Sequence, residues 1–72
     1  MNAATLEKSK RLQRVLTVLQ SGPKTTMEII QLAQVCAVNS IVAELRANGK
    51  HIECTTLKRG VFMYRLVEQV SA

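Results

Sequence analysis

Residues 25–49 read TTMEIIQLAQVCAVNSIVAELRANG and carry two helix signals separated by a short break. Thr25 to Glu28 match the Thr-x-x-Glu capping box that starts helices. We therefore predict a short second helix that begins at Thr25 or Thr26 and ends near Gln34. Its expected inner face consists of Ile29, Leu32 and Ala33.

A third helix is predicted after a break in the pattern at residues 35–36. Apolar side chains at the i, i+3, i+4, i+7 spacing of one helix face are Val38, Ile41, Val42 and Leu45. Asn48 and Gly49 are a typical helix end. The opposite face carries Asn39, Ser40, Ala43 and Ala47, flanked by Glu44 and Arg46.

The chain after Gly49 changes to β-branched and aromatic residues that alternate with polar ones. We predict strands over residues 52–57 and 61–67, joined by a hairpin loop at Lys58-Arg59-Gly60. If Phe62, Tyr64 and Leu66 face the helices, strand alternation places Val61, Met63 and Val67 on the other face.

The chain before this region contains a first helix that ends at Gly22-Pro23. Its apolar face is predicted to be Leu12, Val15, Leu16 and Leu19. Thr5 is a suitable N-cap, and Ser9 is the alternative. The predicted fold class is therefore α+β, with three helices followed by a two- or three-stranded antiparallel sheet.

The length and composition limit what this chain can do. A chain of 72 residues, 47% hydrophobic and 21% charged, forms one folded domain with little room for a deep cavity. We expect residues 1–5 and 68–72 to be flexible ends. No apolar run approaches the roughly 20 residues of a membrane span, and the start does not resemble a secretory signal, so we expect a cytoplasmic protein.

The chain has few residues of the types that catalyse reactions or bind metals. Cys36, Cys54 and the single His51 cannot form a four-ligand zinc site, and the two thiols are expected to be free and either buried or capping, with a disulfide as the alternative. With five Glu and no Asp, the chain offers no catalytic triad, and it has no glycine-rich phosphate loop. We predict no enzyme activity, no metal and no cofactor.

The charge balance favours a polyanionic partner. Ten Lys and Arg against five Glu give a net charge of +5, spread over both halves of the chain. The element order, with a hairpin tipped by two cations, is the layout of a winged helix-turn-helix domain. A helix about 10–12 Å wide fits the major groove of B-DNA, which is roughly 12 Å wide.

Residues 22–26 (GPKTT), 44–53 (ELRANGKHIE) and 64–66 (YRL) resemble the short winged helix-turn-helix proteins of bacteriophages and prophages. The resemblance extends from about Lys10 to Val67 and implies double-stranded DNA binding by a transcriptional regulator or accessory factor, with helix three in the major groove. Two positions depart from the pattern. Gln34 replaces the glycine of many such turns, and Cys36 occupies the place of a capping Ser or Thr.

Carried onto this chain, the resemblance implies DNA contacts by one helix face and the hairpin tip. The predicted DNA-binding residues are Ala37, Asn39, Ser40, Ala43, Arg46, Lys58 and Arg59. Asn39 is suited to bridge N6 and N7 of adenine. We expect Glu44 to lie outside the contact, because its carboxylate would repel phosphate.

A second hypothesis is a winged-helix adaptor that binds another protein and reads no DNA sequence. It is supported by the small residues Ala43 and Ala47. It is also supported by a stripe of Val61, Met63 and Val67 on the last strand, which could form a homodimer. The sequence does not decide between a monomer and a dimer.

Overall fold

The computed structural model describes residues 7–67, which form three helices and one three-stranded antiparallel sheet. The helices are α1 (Lys10–Gln20), α2 (Thr26–Ala33) and α3 (Val38–Ala47). The strands are β1 (Lys24–Thr25), β2 (Ile52–Lys58) and β3 (Val61–Leu66). The predicted α+β class is confirmed. The predictions of flexible ends and of a Thr5 cap concern residues outside the described range.

The sheet has the order β1-β3-β2, so the last strand is central. β2 and β3 form the predicted hairpin, and the two-residue β1 pairs with β3 on its other side. The sequence did not predict β1, because two residues are too few to show an alternating pattern. This short strand attaches the segment between α1 and α2 to the hairpin.

Local hydrogen bonds at two helix starts follow the sequence. The Ser9 hydroxyl accepts from the Leu12 N–H at 3.3 Å, which makes Ser9 the cap of α1. Thr25 and Glu28 form the complete capping box of α2, with N···O distances of 3.2 and 2.9 Å. The backbone N–H of Thr25 lowers the pKa of the Glu28 carboxyl, because this hydrogen bond favours its charged form.

The core lies between the three helices and the inner face of the sheet. All four predicted apolar residues of α3 are buried, as are Leu12, Val15 and Leu19 of α1. The remaining buried residues are Ile29, Ala33, Val35, Ile52 and Tyr64. Leu16 is partly buried and packs against this cluster.

The prediction that Leu32 lies on the inner face of α2 is wrong. Leu32 is 59% exposed, and the partly buried Ile30 packs against the core. A helix of only eight residues makes two turns, and its contact with the core is centred on Ile29 and Ala33. Leu32 lies one residue before Ala33, about 100° around the helix, and is turned outward.

The thiols of Cys36 and Cys54 are free, as expected, but both residues are exposed. The expectation that they are buried or capping is wrong for Cys54, whose strand has exposed side chains from Glu53 to Lys58. Cys36 does not cap α3 either, because Ala37 is the N-cap residue and has no side-chain hydrogen bond.

The connection between α2 and α3 is a four-residue turn, residues 34–37, across which the chain direction bends by 85°. No single helix within residues 7–67 is long and apolar enough to cross a membrane, and α2 with α3 reach that length and composition only as this bent pair. Gln34 and Ala37 adopt left-handed backbone conformations, with φ of 55° and 48°. Gln34 thus takes the conformation for which glycine is favoured.

We expect Gln34→Gly to stabilise the fold by roughly 0.5–1 kcal/mol, because a side chain in the left-handed region costs about 1–2 kcal/mol and glycine's extra backbone freedom offsets part of that gain. Gln31→Gly is the matched control, since Gln31 is exposed inside α2. We expect Gln31→Gly to destabilise by about 0.5–1 kcal/mol. Urea denaturation measures both changes, and the same sign for the two variants would contradict the prediction.

Candidate functional site

The outer face of α3 is open to solvent. The predicted contact residues Ala37, Asn39, Ser40, Ala43 and Arg46 are all exposed, as is Ala47. The buried residues of the same helix, from Val38 to Leu45, hold it on the core. α3 therefore presents a mostly uncharged polar face formed by small side chains.

The single acidic residue of α3 is turned away from this face. The Glu44 carboxylate lies 3.6 Å from the Arg11 guanidinium of α1, and its Oε2 atom is buried. The Glu44 side chain is 23% exposed. This position removes a negative charge from the outer face, and the expectation that Glu44 lies outside a DNA contact stays a prediction.

Asn39 is held by a tyrosine of the sheet. The Tyr64 hydroxyl donates to Oδ1 of Asn39 at 2.7 Å. Tyr64 is only 5% exposed, and burial raises the pKa of its hydroxyl above the usual value. The hydroxyl therefore keeps its proton at neutral pH and remains a donor to Asn39.

Arg46 is held by the start of β2. Its Nε and Nη2 atoms donate to the Ile52 carbonyl oxygen at 3.1 and 2.7 Å. The guanidinium thus connects the end of α3 to the first residue of the hairpin. A direct contact of Arg46 with DNA stays a prediction, but the structure gives this side chain a second task, which is to fix the hairpin relative to α3.

The two cations predicted to contact DNA lie at the far end of the hairpin. Lys58 is the last residue of β2 and pairs with Val61, with Arg59 and Gly60 in the turn between them. Gly60 has φ of +76°, which closes the turn at no steric cost. The register shifts between Thr56 and Lys58, so Leu57 is a bulge residue that increases the twist near the tip.

The hairpin runs alongside α3. The base of the hairpin lies beside the end of α3, and positions nearer the hairpin tip lie beside the start of α3. Arg46, near the end of α3, contacts Ile52 at the start of β2. Asn39, seven residues earlier, contacts Tyr64, which pairs with Cys54 further toward the tip. The hairpin consequently points its cationic tip in the direction of the start of α3.

A recess of about 260 Å³ lies between α3 and the hairpin and is lined by Asn39, Val42, Arg46, Cys54 and Tyr64. Two of these residues, Asn39 and Arg46, are predicted contact residues that carry hydrogen-bond donors, and the Tyr64 hydroxyl is a third donor. Sequence reasoning named both, but it missed Tyr64, which it treated only as an apolar residue. The available signal was the choice of tyrosine over phenylalanine at a buried position, since a buried hydroxyl needs a partner.

The face predicted for a homodimer is less apolar than expected. Val61, Met63 and Val67 are each partly buried. Met63 has Thr25 and Thr55 as its strand partners, and the next residue pair on that face is the ion pair of Glu53 with Arg65. β3 is the central strand: it pairs with β2 along most of its length and with β1 at Met63 and Tyr64, so at these two residues its backbone is already paired on both sides.

Metal ligands do not cluster in the part of the chain that the structure describes. Within residues 7–67, no group of three or more His, Cys, Asp or Glu side chains is placed to hold a metal ion. No family model, curated protein or solved structure matches the chain. The site is therefore interpreted from its own geometry and chemistry.

Proposed function

We propose that this chain is a winged helix-turn-helix protein that binds double-stranded DNA, as a regulator or accessory factor of the phage or prophage type. α3 enters the major groove, and the hairpin tip lies on the adjacent backbone or in the minor groove. The proposal is carried by one observation. The exposed face of α3 carries no acidic side chain, and the hairpin beside it points its Lys58–Arg59 tip in the direction of the start of that helix.

The arrangement of α2 and α3 supports this function. A four-residue turn and a bend of 85° between them are close to the 90–120° of DNA-binding helix pairs. In such pairs the second helix reads the major groove and the first crosses the backbone. α3 has the open face that this role requires, and Glu44 is withdrawn from it by Arg11.

The charges supply affinity without sequence preference. Lys and Arg side chains neutralise phosphates and release counterions, so binding weakens as salt rises. The chain from residue 54 to residue 67 contains no acidic residue, and Lys58 and Arg59 lie at the tip of the hairpin. The hairpin tip can therefore approach a phosphate backbone without like-charge repulsion.

A mobility-shift titration at two salt concentrations tests the proposal. We expect a complex with duplex DNA at low salt that weakens as salt rises, because phosphate contacts supply most of the affinity. A single strand of the same sequence is the control and should bind more weakly, since Phe62 and Tyr64 are the only aromatic residues and Tyr64 is buried. The absence of a complex with any duplex at low salt would contradict the proposal.

A second candidate function, as a protein-binding adaptor, is favoured by the exposure of Leu32. Leu32 borders a groove of about 480 Å³ between α1 and α2, which is also lined by Lys10, Gln13, Arg14, Thr17 and Val18. The Nε atom of Arg14 donates to the Ala33 carbonyl at 2.9 Å, which holds this guanidinium at the groove. A groove that combines the apolar side chains of Leu32 and Val18 with two cations suits an amphipathic helix that carries acidic residues, and like charge disfavours a second copy of the same groove.

Titration of the labelled protein with a synthetic Leu/Glu amphipathic helix, followed by NMR, tests the adaptor function. We expect shifts at Leu32 and Val18 that Leu32→Glu removes, since the carboxylate would repel the acidic helix. Leu57→Glu is the matched control, because Leu57 is 51% exposed and lies in the hairpin, outside this groove. Equal binding by both variants would exclude the groove as the docking site.

A further inference from the structure

The hydrogen bond between Tyr64 and Asn39 decides which end of the Asn39 amide is turned toward a ligand. An asparagine amide has an acceptor oxygen and an NH₂ group with two donor protons. The Tyr64 hydroxyl donates to the oxygen, Oδ1, at 2.7 Å. Oδ1 is thereby directed to the sheet, and Nδ2 is the part of the amide left for a ligand on the exposed side of α3.

The hydroxyl of Tyr64 is well placed to impose this orientation. Its ring is part of the buried core, on the central strand of the sheet, with only 5% of the residue exposed. Cys54 is its partner on β2 and Lys24 its partner on β1. Because the ring is buried and its strand is paired on both sides at this residue, the position of the hydroxyl is set by the fold and not by a ligand.

Guanine and adenine present different hydrogen-bonding groups in the major groove. A side chain that offers only a donor and one that offers a donor and an acceptor therefore select different bases. Guanine presents two acceptors there, N7 and O6, whereas adenine presents the acceptor N7 and the donor N6–H₂. The bridge to adenine expected from the sequence needs Oδ1 and Nδ2 directed at the same base. With Oδ1 held by Tyr64, the Nδ2 group donates to the two acceptors of guanine. On adenine the same Nδ2 group faces the N6–H₂ donor, which is then left without an acceptor.

We infer that Tyr64 is a positioning residue that turns the amide donor of Asn39 toward the bound duplex, so that this position of α3 selects guanine over adenine. The inference rests on the proposed DNA-binding function. It replaces the adenine contact expected from the sequence, because the structure uses the amide oxygen within the protein.

Selection of bound duplexes from a random pool, followed by competition with single-pair changes of the selected duplex, tests the inference. For the intact chain we expect a guanine at one position, preferred over adenine by about fivefold or more. Asn39→Ala should abolish this preference and leave the other positions unchanged. Gln20→Ala is the matched control, since Gln20 is an exposed polar residue of α1 outside the predicted contact and its loss should not alter the guanine position.

Tyr64→Phe tests the positioning role directly. The ring that fills the core is kept, and only the hydroxyl is removed. We expect the guanine preference to fall toward equality with adenine, because the freed amide can rotate to bridge adenine. A merely structural role would weaken binding to all duplexes alike, so the ratio of the two affinities is the informative measurement.

A second variant leaves the core untouched. Asn39→Asp keeps an oxygen for the Tyr64 hydroxyl but replaces the outward donor by an acceptor. We expect loss of the guanine preference and a shift toward cytosine on the same strand, whose N4 amino group donates to carboxylates. Retention of guanine by this variant would overturn the inference.

The failures of the two proposals are distinguishable. If the intact chain binds no duplex at low salt, the DNA-binding function itself fails, and the inference fails with it. If the intact chain binds DNA but Asn39→Ala changes no base preference, or Tyr64→Phe keeps the full guanine preference, only the inference is overturned. Adenine at the position that depends on Asn39 would also overturn it.

Discussion

Removal of the two cations at the hairpin tip, by Lys58→Ala with Arg59→Ala, is expected to weaken binding to every duplex by a similar factor. Each phosphate contact contributes about −0.9 to the slope of log K against log salt. Loss of two contacts should therefore reduce the magnitude of that slope by about 1.8. Affinity would fall most at low salt, where counterion release contributes most to binding.

The control for this prediction removes the same charge elsewhere. Lys10→Ala with Arg65→Ala takes one cation from the solvent side of α1 and one from the outer sheet face, where Arg65 pairs with Glu53. We expect a much smaller change in the slope of log K against log salt from this double variant. Titrations at four or more salt concentrations measure the slope. Equal changes for the two double variants would show that only overall charge matters and that the tip does not touch DNA.

Leu45→Ala is expected to unfold the domain or to bring it close to unfolding. Leu45 is fully buried where α3 meets the core, with 0% of its surface exposed. Truncation of such a leucine costs about 2–5 kcal/mol through lost burial and the cavity left behind. A domain of this size has a total stability on the order of 5 kcal/mol, so this one change approaches the whole.

Leu57→Ala is the matched control for the loss of Leu45. Leu57 is 51% exposed on the hairpin, and its removal should change the free energy of unfolding by less than about 0.5 kcal/mol. Thermal and urea denaturation monitored by circular dichroism measure both variants. A stable Leu45→Ala protein with a melting temperature near that of the intact chain would show that the core does not depend on the α3 contact.

The helices and the hairpin could be predicted because their signals are local. The capping box at Thr25, the apolar spacing of α3 and the turn at Gly60 act within a few residues of themselves. β1 and the exposure of Leu32 depend on contacts with distant residues. Tyr64 lies opposite Lys24 only because the whole fold brings them together.

The candidate site was predictable as a set of exposed residues but not as a hydrogen-bond arrangement. Helix periodicity was enough to place Asn39 and Ser40 on the outer face. It gave no information on the contacts of Asn39 with Tyr64 or of Arg46 with Ile52, which connect positions in different elements. Phe62 illustrates the same limit. Phe62 pairs with Thr56 in the predicted hairpin, but this pairing does not determine its burial. Its side chain is 43% exposed and borders a groove next to α2.

The pairing of β1 with β3 has a consequence for the order in which the molecule is made. Lys24 and Tyr64 face each other across the sheet although they are about 40 residues apart in the chain. During synthesis the ribosome releases the helical segments before β3, so the sheet cannot close until the chain has been made beyond residue 66. The pairing that joins the earliest strand of the sheet to its last strand is therefore formed after all three helices have been released.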